Sequence, residues 1–420
     1  MSIRWCLIRG RMKPRQYILE VLIRVFQENG YASLIMRDCK LPREDMPFVS
    51  EVVYGTIRNY DMLEYQWRSY ASTHVKKKIA LLIDMSIYQM QYLDGVPEYA
   101  VISEAVEMCG TYEKKFVNAV LRNVAKRGQI FPHTNDLNAL AVETSHPLWL
   151  VNMWKAHYGE ETVRKLCAED QERPYVFGRI NTLKMKKEEL EKGSRVRFLN
   201  DISFMYEGIL SRTSMFEEGR VVIQDVNSAE TVTYLDVQPK MNVLDLCAAP
   251  GTKSQEIAMF MKNQGKITAC DLYEKRTHLI SDLMARTGVT ICQTMVNDAT
   301  IDRAEWHDAY DRVLIDAPCS GLGDLRHKPE IRLHLKPGDL DEIVKIQRNI
   351  LHTAASYLKP EGILVYSTCT LNKKENENQV QQFLDVHHDY ELIEEKTIFP
   401  FENGGDGFFM AKLTRKKSTI

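Results

Sequence analysis

Apolar residues recur at helical spacing through the first third of the chain. Tyr17, Ile18, Val21, Leu22, Val25 and Phe26 form one stripe; Ile79, Leu82, Ile83, Met85, Ile87 and Tyr88 form another. Gly30, Gly55, Gly95 and Gly110 fall between such runs and read as helix stops. The pattern predicts a bundle of five to seven helices over residues 13–130. A polar connector containing Pro and Asn follows at 131–145. Residues 146–235 mix the two periods, with a strand running from Tyr175-Val176-Phe177 to Asn181-Thr182-Leu183-Lys184, and predict a small α+β module. Its aromatics, Trp149, Trp154 and Tyr158 among them, read as core. Over 236–420 the pattern alternates. Apolar strands at 242–246, 267–270, 291–295, 312–316 and 362–366 are separated by helical stretches near 252–262, 273–287 and 340–358. That alternation predicts an α/β domain with a mostly parallel sheet covered on both faces. Gly407 to Leu413 reads as a last strand, antiparallel at the edge.

Composition narrows the class. Apolar content of 44% and charged content of 27% are those of a globular protein, and no apolar run approaches the roughly 18 residues of a membrane span, so no membrane partner is expected. The nine cysteines are scattered, without paired C-x-x-C spacing. A disulfide framework and a metal site are disfavoured, and a reducing cytoplasmic setting is expected. Met1 to Arg11 is basic without the apolar core of a signal peptide, and reads either as a disordered tail or as the product of an upstream start codon, with Met12 as the functional start. Residues 1–130 carry 19 Lys and Arg against 14 Asp and Glu, a net +5, and the remainder a net −7. Lys76-Lys77-Lys78 opens one helix, and Arg122, Lys126 and Arg127 share a face of another. Such faces fit phosphates; a solvated helix surface explains them equally.

The chemistry sits at strand ends. Val243-Leu244-Asp245-Leu246 runs into Cys247-Ala248-Ala249-Pro250-Gly251-Thr252-Lys253. Small residues there let backbone amides approach a ligand at the next helix start. Asp271 lies twenty residues after Gly251, at the end of the second strand, where an acid binds ribose hydroxyls. Asp298 follows the third strand and could receive an adenine amine. The order is that of an adenosine-containing cofactor. Neither G-x-G-x-x-G nor a phosphate-binding P-loop is present, which disfavours a dinucleotide enzyme and a triphosphatase.

Two further strand ends carry thiols. Val313-Leu314-Ile315 leads into Asp316-Ala317-Pro318-Cys319-Ser320-Gly321, and Ile363-Leu364-Val365-Tyr366 into Ser367-Thr368-Cys369-Thr370. Loops leaving the carboxyl ends of neighbouring strands converge on one crevice. An acid and two thiols beside an adenosine cofactor suit cytosine C5, a poor nucleophile. A thiolate added at C6 makes C5 able to attack the methyl group of S-adenosylmethionine. Asp316 can hold N3 and the exocyclic amine as an acid, and a second thiol can assist release. A thiol near a helix start or a cation would ionise readily. Cys247 reads as ligand lining or packing. Cys6, Cys39, Cys109, Cys167, Cys270 and Cys292 read as buried small apolar residues. The residues alone do not rank Cys319 against Cys369.

These motifs, with Gln224-Asp225, Ser228, Glu375-Asn376-Glu377 and Asp406-Gly407-Phe408-Phe409, resemble the NOP/Sun class of RNA cytosine-5 methyltransferases. Within it the chain is similar to the bacterial 16S ribosomal RNA methyltransferase B group, and Phe116 to Arg122 looks like the last helix of that group's NusB-like domain. The resemblance spans nearly the whole chain. It implies a Rossmann-like class I methyltransferase domain at 236–420, a NusB-like all-α RNA-binding domain at 13–130 and the α+β module between them. It makes Cys369 the nucleophile, Cys319 the residue that helps release product, and Asp316 the acid partner of the base. It makes Cys247, Ala248, Ala249, Pro250, Gly251, Thr252, Lys253, Asp271, Asp298 and Asp316 the S-adenosylmethionine contacts, with no metal. A monomer acting on 16S ribosomal RNA, free or in an early particle, is implied.

Three other readings compete. An inactive assembly factor would have lost a nucleophile or a cofactor acid, and none is lost. The same chemistry on transfer RNA would not need the NusB-like front. A DNA enzyme would use Cys319 as nucleophile. The chain departs from the family in Thr252, where a second glycine is usual, in Ser254 for threonine, and in Glu330 for aspartate. A positive φ at Thr252 would be strained; a place in the helix would not. Glu330 bears on RNA contacts rather than chemistry.

Overall fold

The computed structural model describes residues 12–190 and 195–417. The basic opening and its reading as a tail lie outside the described residues. The chain divides into two compact units. One runs to Glu172 and includes His327–His334; the other comprises Arg173–Arg326 and the chain from Leu335 on.

In the first unit the bundle consists of Pro14–Glu28, Ala32–Arg37, Met46–Arg58, Tyr60–Trp67, Lys77–Tyr92, Glu98–Glu107 and Lys114–Arg127. The helix Lys77–Tyr92 is buried without a break from Ile79 to Gln89. A helix buried all round is a central one, and the amphipathic helices pack their apolar stripes about it. Gly55 is not a stop. It lies inside Met46–Arg58, where a Cβ would come within 1.9 Å of the Tyr88 ring, so the glycine permits a close helix approach. Two basic side chains read as phosphate-facing are engaged internally. Lys77 Nζ donates to the Tyr60 hydroxyl at 2.5 Å and lies over the Phe26 and Tyr60 rings. Arg127 donates to the Gln66 carbonyl and stacks on Tyr70.

The stretch 131–145 is more than a connector. It holds a helix, Leu137–Glu143, because Asp136 caps it by accepting from the Ala139 amide at 2.9 Å. Leu148–Tyr158 and Glu160–Glu169 follow in the same unit. The segment His327–His334 is fixed there too. Glu330 Oε1 accepts from the Ala32 amide at 2.9 Å, and Arg332 Nη1 donates to the Thr144 carbonyl at 2.8 Å. Glu330 is buried, so it serves an internal helix start rather than an RNA contact.

The second unit opens with four antiparallel strands: β1 (Phe177–Ile180), β2 (Val196–Phe198), β3 (Ser203–Tyr206) and β4 (Val221–Ile223), ordered β2-β3-β1-β4. A seven-stranded sheet follows: β5 (Asn242–Asp245), β6 (Lys266–Asp271), β7 (Cys292–Val296), β8 (Tyr310–Asp316), β9 (Leu358–Thr368), β10 (Tyr390–Ile398) and β11 (Phe408–Arg415). Its order is β10-β11-β9-β8-β5-β6-β7, with β5 to β9 parallel. Successive residues point to opposite faces, and the core divides accordingly. Leu244, Val313, Ile315 and Leu364 pack with Ile350, Leu351 and Phe383; Val243, Leu314 and Val365 pack with Ile257, Ile280 and Val232. The sheet is thus buried on both faces, Rossmann-like, as the alternation predicts.

β11 is antiparallel but not at the edge; it lies between β9 and β10. The edge strand β10 escaped the sequence reading because Glu391, Glu394, Glu395 and Lys396 break its apolar pattern. Charge of this kind suits an exposed edge. Among the described residues no helix is long and apolar enough to cross a membrane.

Candidate active site

The chain runs from β5 outward through β6 and β7, then returns to place β8 on the other side of β5. That reversal is a topological switch point, and in sheets of this kind the ligand crevice lies outside the carboxyl ends of the two strands that flank it, here β5 and β8. The turn after β5 is closed by the Gly251 amide donating to the Ala248 carbonyl at 2.7 Å, and Ala248 N–H donates to the Cys270 carbonyl at 2.7 Å. Gly251 has φ +104°, and a Cβ there would lie 3.2 Å from Ile280 Cα. Only glycine holds this turn so close to the neighbouring helix. Thr252 is the first residue of the helix Thr252–Phe260 and is free of the strain a positive φ would bring.

Asp271 is buried at the end of β6, where its two oxygens accept from Ala249 N–H and Tyr273 N–H, each at 3.3 Å. Asp298 lies just past β7 and accepts from the Thr300 amide at 2.9 Å and its hydroxyl at 2.6 Å. Asp245, which the sequence reading used only as a strand end, belongs to the crevice. Its Oδ2 accepts from Ser254 Oγ at 2.6 Å, while the buried Oδ1 has no partner. Burial pushes this carboxyl up to about 7. A glycine turn, a ribose-position acid and an orphaned acceptor fit an adenosine cofactor bearing an amino-acid group.

Lys253 turns back from the first helical turn under the β8 end. Its buried ammonium donates to Asp316 Oδ2 and to Ser228 Oγ, both at 2.7 Å. Ser367 Oγ donates to the other oxygen, Asp316 Oδ1, at 3.0 Å. Burial alone would lower the Lys253 pKa; the Asp316 charge and hydrogen bond outweigh it and hold it above its ordinary value. The carboxylate of Asp316 is thus gripped at both oxygens while about a third of its side chain faces solvent.

Cys319 and Cys369 meet at the ends of β8 and β9, with their sulfurs 3.3 Å apart and unbonded. Cys369 lies well above the ordinary thiol range, first through its hydrogen bond with Cys319 and then through burial. At rest it is a neutral thiol. The helix-start activation allowed from sequence is absent here, since the next helix begins only at Glu377. Lys253 is the cation that interacts with it electrostatically. Burial, then the charges of Asp245, Asp316 and Asp271, push the Cys247 thiol well up, which leaves a neutral thiol at the loop. Cys167, Cys270 and Cys292 are each pushed to about 12 by burial.

The structure brings Asp316, Cys319, Cys369 and Lys253 together. Sequence reasoning gave no role to Ser228, Ser367 or Asp245. Ser367 and Asp245 stand in the motifs themselves, and a search for side chains able to grip a strand-end acid would have found them. Ser228 lies 25 residues before Lys253; the family resemblance marks it, but nothing local to it points to Lys253.

Three family models match the chain: 16S rRNA methyltransferase RsmB/F over residues 232–414, the NusB family over 12–126, and the RsmF/B-like methyltransferase ferredoxin-like domain over 146–192. The probable ribosomal RNA small subunit methyltransferase B of Bacillus subtilis is 34% identical, with 96% of this chain and 98% of that protein covered. The crystal structure of PH0851 superposes with a TM-score of 0.81 at 23% identity, covering 97% of this chain and 100% of that one. A methyltransferase homolog from Pyrococcus horikoshii reaches a TM-score of 0.59 at 25% identity, over 68% of this chain and 100% of that one.

Proposed function

Because the chain belongs to the 16S rRNA methyltransferase RsmB/F family, we propose that it methylates C5 of one cytosine in 16S ribosomal RNA, with S-adenosylmethionine as donor and Cys369 as nucleophile. The observation that carries the reading is the 3.3 Å contact of Cys319 and Cys369 beside an Asp316 fixed by Lys253. An arrangement of two thiols and a gripped acid has little structural purpose and a direct chemical one.

When bound, S-adenosylmethionine supplies the electrophilic methyl group that C5 gains; Cys247 to Lys253, Asp271, Asp298 and Asp316 would hold it. The chain's residues do the rest. Cys369 Sγ adds to C6, so an S–C6 bond forms, the ring electrons move toward N3, and the proton the thiol gives up ends on N3 by way of Asp316. Asp316, oriented by Lys253 and Ser367, holds N3 and the exocyclic amine and keeps a proton there. Lys253 lowers the cost of negative charge on Cys369. In release, the C5 proton passes to a base, its electron pair re-forms the C5–C6 double bond, and the S–C6 bond breaks with its pair on Cys369. The 3.3 Å contact supports Cys319 as the group that takes the proton. The same reading makes 13–130 the RNA-binding helical domain of a monomer and 236–420 the catalytic domain.

The test is transfer of labelled methyl from S-adenosylmethionine to unmodified 16S rRNA, with transfer RNA and Cys369→Ala protein in parallel. Label at one cytosine of 16S rRNA, lost in Cys369→Ala, is the expected outcome. Label confined to transfer RNA would overturn the substrate, and full activity of Cys369→Ala would overturn the nucleophile.

A further inference from the structure

Glu375 is a completely buried carboxylate that the mechanism above does not use. Among the described residues no cation is paired with its side chain. Instead all four acceptor positions are filled by neutral donors. Oε2 accepts from the Ser320 amide at 2.9 Å and from Gln347 Nε2 at 3.0 Å; Oε1 accepts from Ser320 Oγ at 2.6 Å and Asn372 Nδ2 at 2.9 Å. Removing a carboxylate from water is unfavourable, so so complete a shell marks a site the fold maintains for a purpose.

The donors bracket both thiols. Gln347 Nε2, besides holding Glu375, donates to the Pro318 carbonyl at 3.0 Å. Pro318 and Ser320, the residues on either side of Cys319, are therefore both tied to one Gln347–Glu375 unit. Ser320 Oγ also meets Thr370 Oγ1 at 2.7 Å. Thr370 follows Cys369, and its carbonyl accepts from Asn376 Nδ2 at 2.8 Å, while Thr368 Oγ1 donates to Asn376 Oδ1 at 2.6 Å. The loop after β8 and the loop after β9 are thus joined through Glu375 and its neighbour. Tyr366 fixes the Glu375 backbone by donating to its carbonyl at 2.7 Å.

We propose that Glu375 is the positioning residue that holds Cys319 against Cys369, so that it governs release of the covalent RNA adduct more than its formation. The inference rests on the proposed mechanism. Cys369 directly follows the last residue of β9, and its carbonyl accepts from the Gly323 amide at 3.0 Å; neither tie passes through Glu375. Cys319 stands on a Pro-Cys-Ser turn whose flanks have the Gln347–Glu375 unit as their tie. Loss of the carboxylate therefore moves Cys319 first.

Glu375→Gln keeps the volume but brings a donor amide toward a shell of donors. The Ser320 hydroxyl and Asn372 can turn to accept; the Ser320 amide cannot. The expected result with transcribed 16S rRNA and S-adenosylmethionine is about ten- to hundredfold slower turnover, the range set by losing hydrogen bonds to a charged group. RNA retained covalently on the protein should accumulate, seen as a slow band in a denaturing gel, while affinity for S-adenosylmethionine and KM for RNA stay unchanged. A merely structural Glu375 would weaken cofactor binding and lower adduct formation and release together, and that result overturns the proposal. Gln347→Met, which removes the Pro318 tie while leaving the carboxylate, should show the same adduct with a smaller turnover loss; it decides the question if Glu375→Gln does not fold. Cys319→Ala is run alongside. Adduct in Cys319→Ala but in neither of the other variants overturns the role of Glu375 alone. No adduct in Cys319→Ala overturns the release mechanism, and this inference with it.

Discussion

Gly323→Ala tests whether the two thiol loops depend on backbone contact. Gly323 follows the Cys319 turn, and its amide donates to the Cys369 carbonyl at 3.0 Å while its own carbonyl accepts from Gly407 N–H at 2.8 Å. A Cβ at position 323 would lie 1.9 Å from the Gly407 oxygen and 2.6 Å from its carbonyl carbon. An ordinary contact begins near 3.4 Å, so one backbone must yield by more than an ångström. The Gly407 side is pinned, because the Asp406 amide donates to Asp225 Oδ2 at 3.0 Å and the Asp406 carbonyl accepts from Asn227 Nδ2 at 2.8 Å. The Gly323 side therefore moves and carries the Cys369 carbonyl with it. Overpacking of this kind costs about 1–3 kcal/mol of stability. Misplacing a reacting group by an ångström costs about a hundredfold in rate. We expect kcat for methyl transfer to fall about a hundredfold, with a lowered Tm. Gly338→Ala serves as control, since its Cβ would meet nothing within 4 Å. A Gly323→Ala enzyme within twofold of the native kcat would refute the argument that this backbone contact sets the nucleophile's place.

Lys253→Met removes the donor to Asp316 and Ser228 from a buried position; loss of one hydrogen bond to a charged group is worth about 1.5–3 kcal/mol, so kcat/KM should drop roughly ten- to hundredfold, and an unaltered value would detach Lys253 from the chemistry. Gly251→Ala puts a side chain at φ +104° and 3.2 Å from Ile280 Cα; strain of about 1–2 kcal/mol should weaken S-adenosylmethionine binding about tenfold by calorimetry, and an unchanged Kd would count against the turn as cofactor cradle. In the helical unit, burial and then the Arg332 charge push His146 down to about 4, and its Nε2 meets Asp170 Oδ2 at 3.1 Å. The neutral ring is the folded form, so the unfolded chain binds the extra proton below its ordinary value of 6.5. This contribution, about 3 kcal/mol, is present above pH 6.5 and lost as pH falls toward 4. Urea unfolding followed through Trp154, whose ring lies 5.8 Å from His146, should lose more stability over that window than His146→Gln; parallel profiles would sink the assignment.

The strands carrying the crevice were legible because each is a short apolar run with an acid or a thiol at its end. β5, β6, β7 and β8 begin and end within two residues of where alternation puts them, whereas β9 starts four residues earlier and ends two later than the expected 362–366. What the pattern hid had physical reasons. β10 carries an edge strand's charges, and the helix Leu137–Glu143 sits in a polar stretch where only the Asp136 cap marks it. Gly55 looked like a stop because a glycine needed for helix contact and one needed for helix ending are the same letter.

Local sequence determined the kind of chemistry. Composition, strand-end acids and two thiols in separate motifs are properties of short segments, and their order along the chain constrains the sheet. Tertiary structure alone decided the distances. Cys319 and Cys369 are 50 residues apart in sequence and 3.3 Å apart in space; Lys253 reaches Asp316 across 63 residues; Ser320 reaches Glu375 across 55. Periodicity reports which face a residue lies on, not which distant residue shares that face. Strand order and the closing of buried polar shells set those pairings, and with them the protonation of Cys369, which no motif could give.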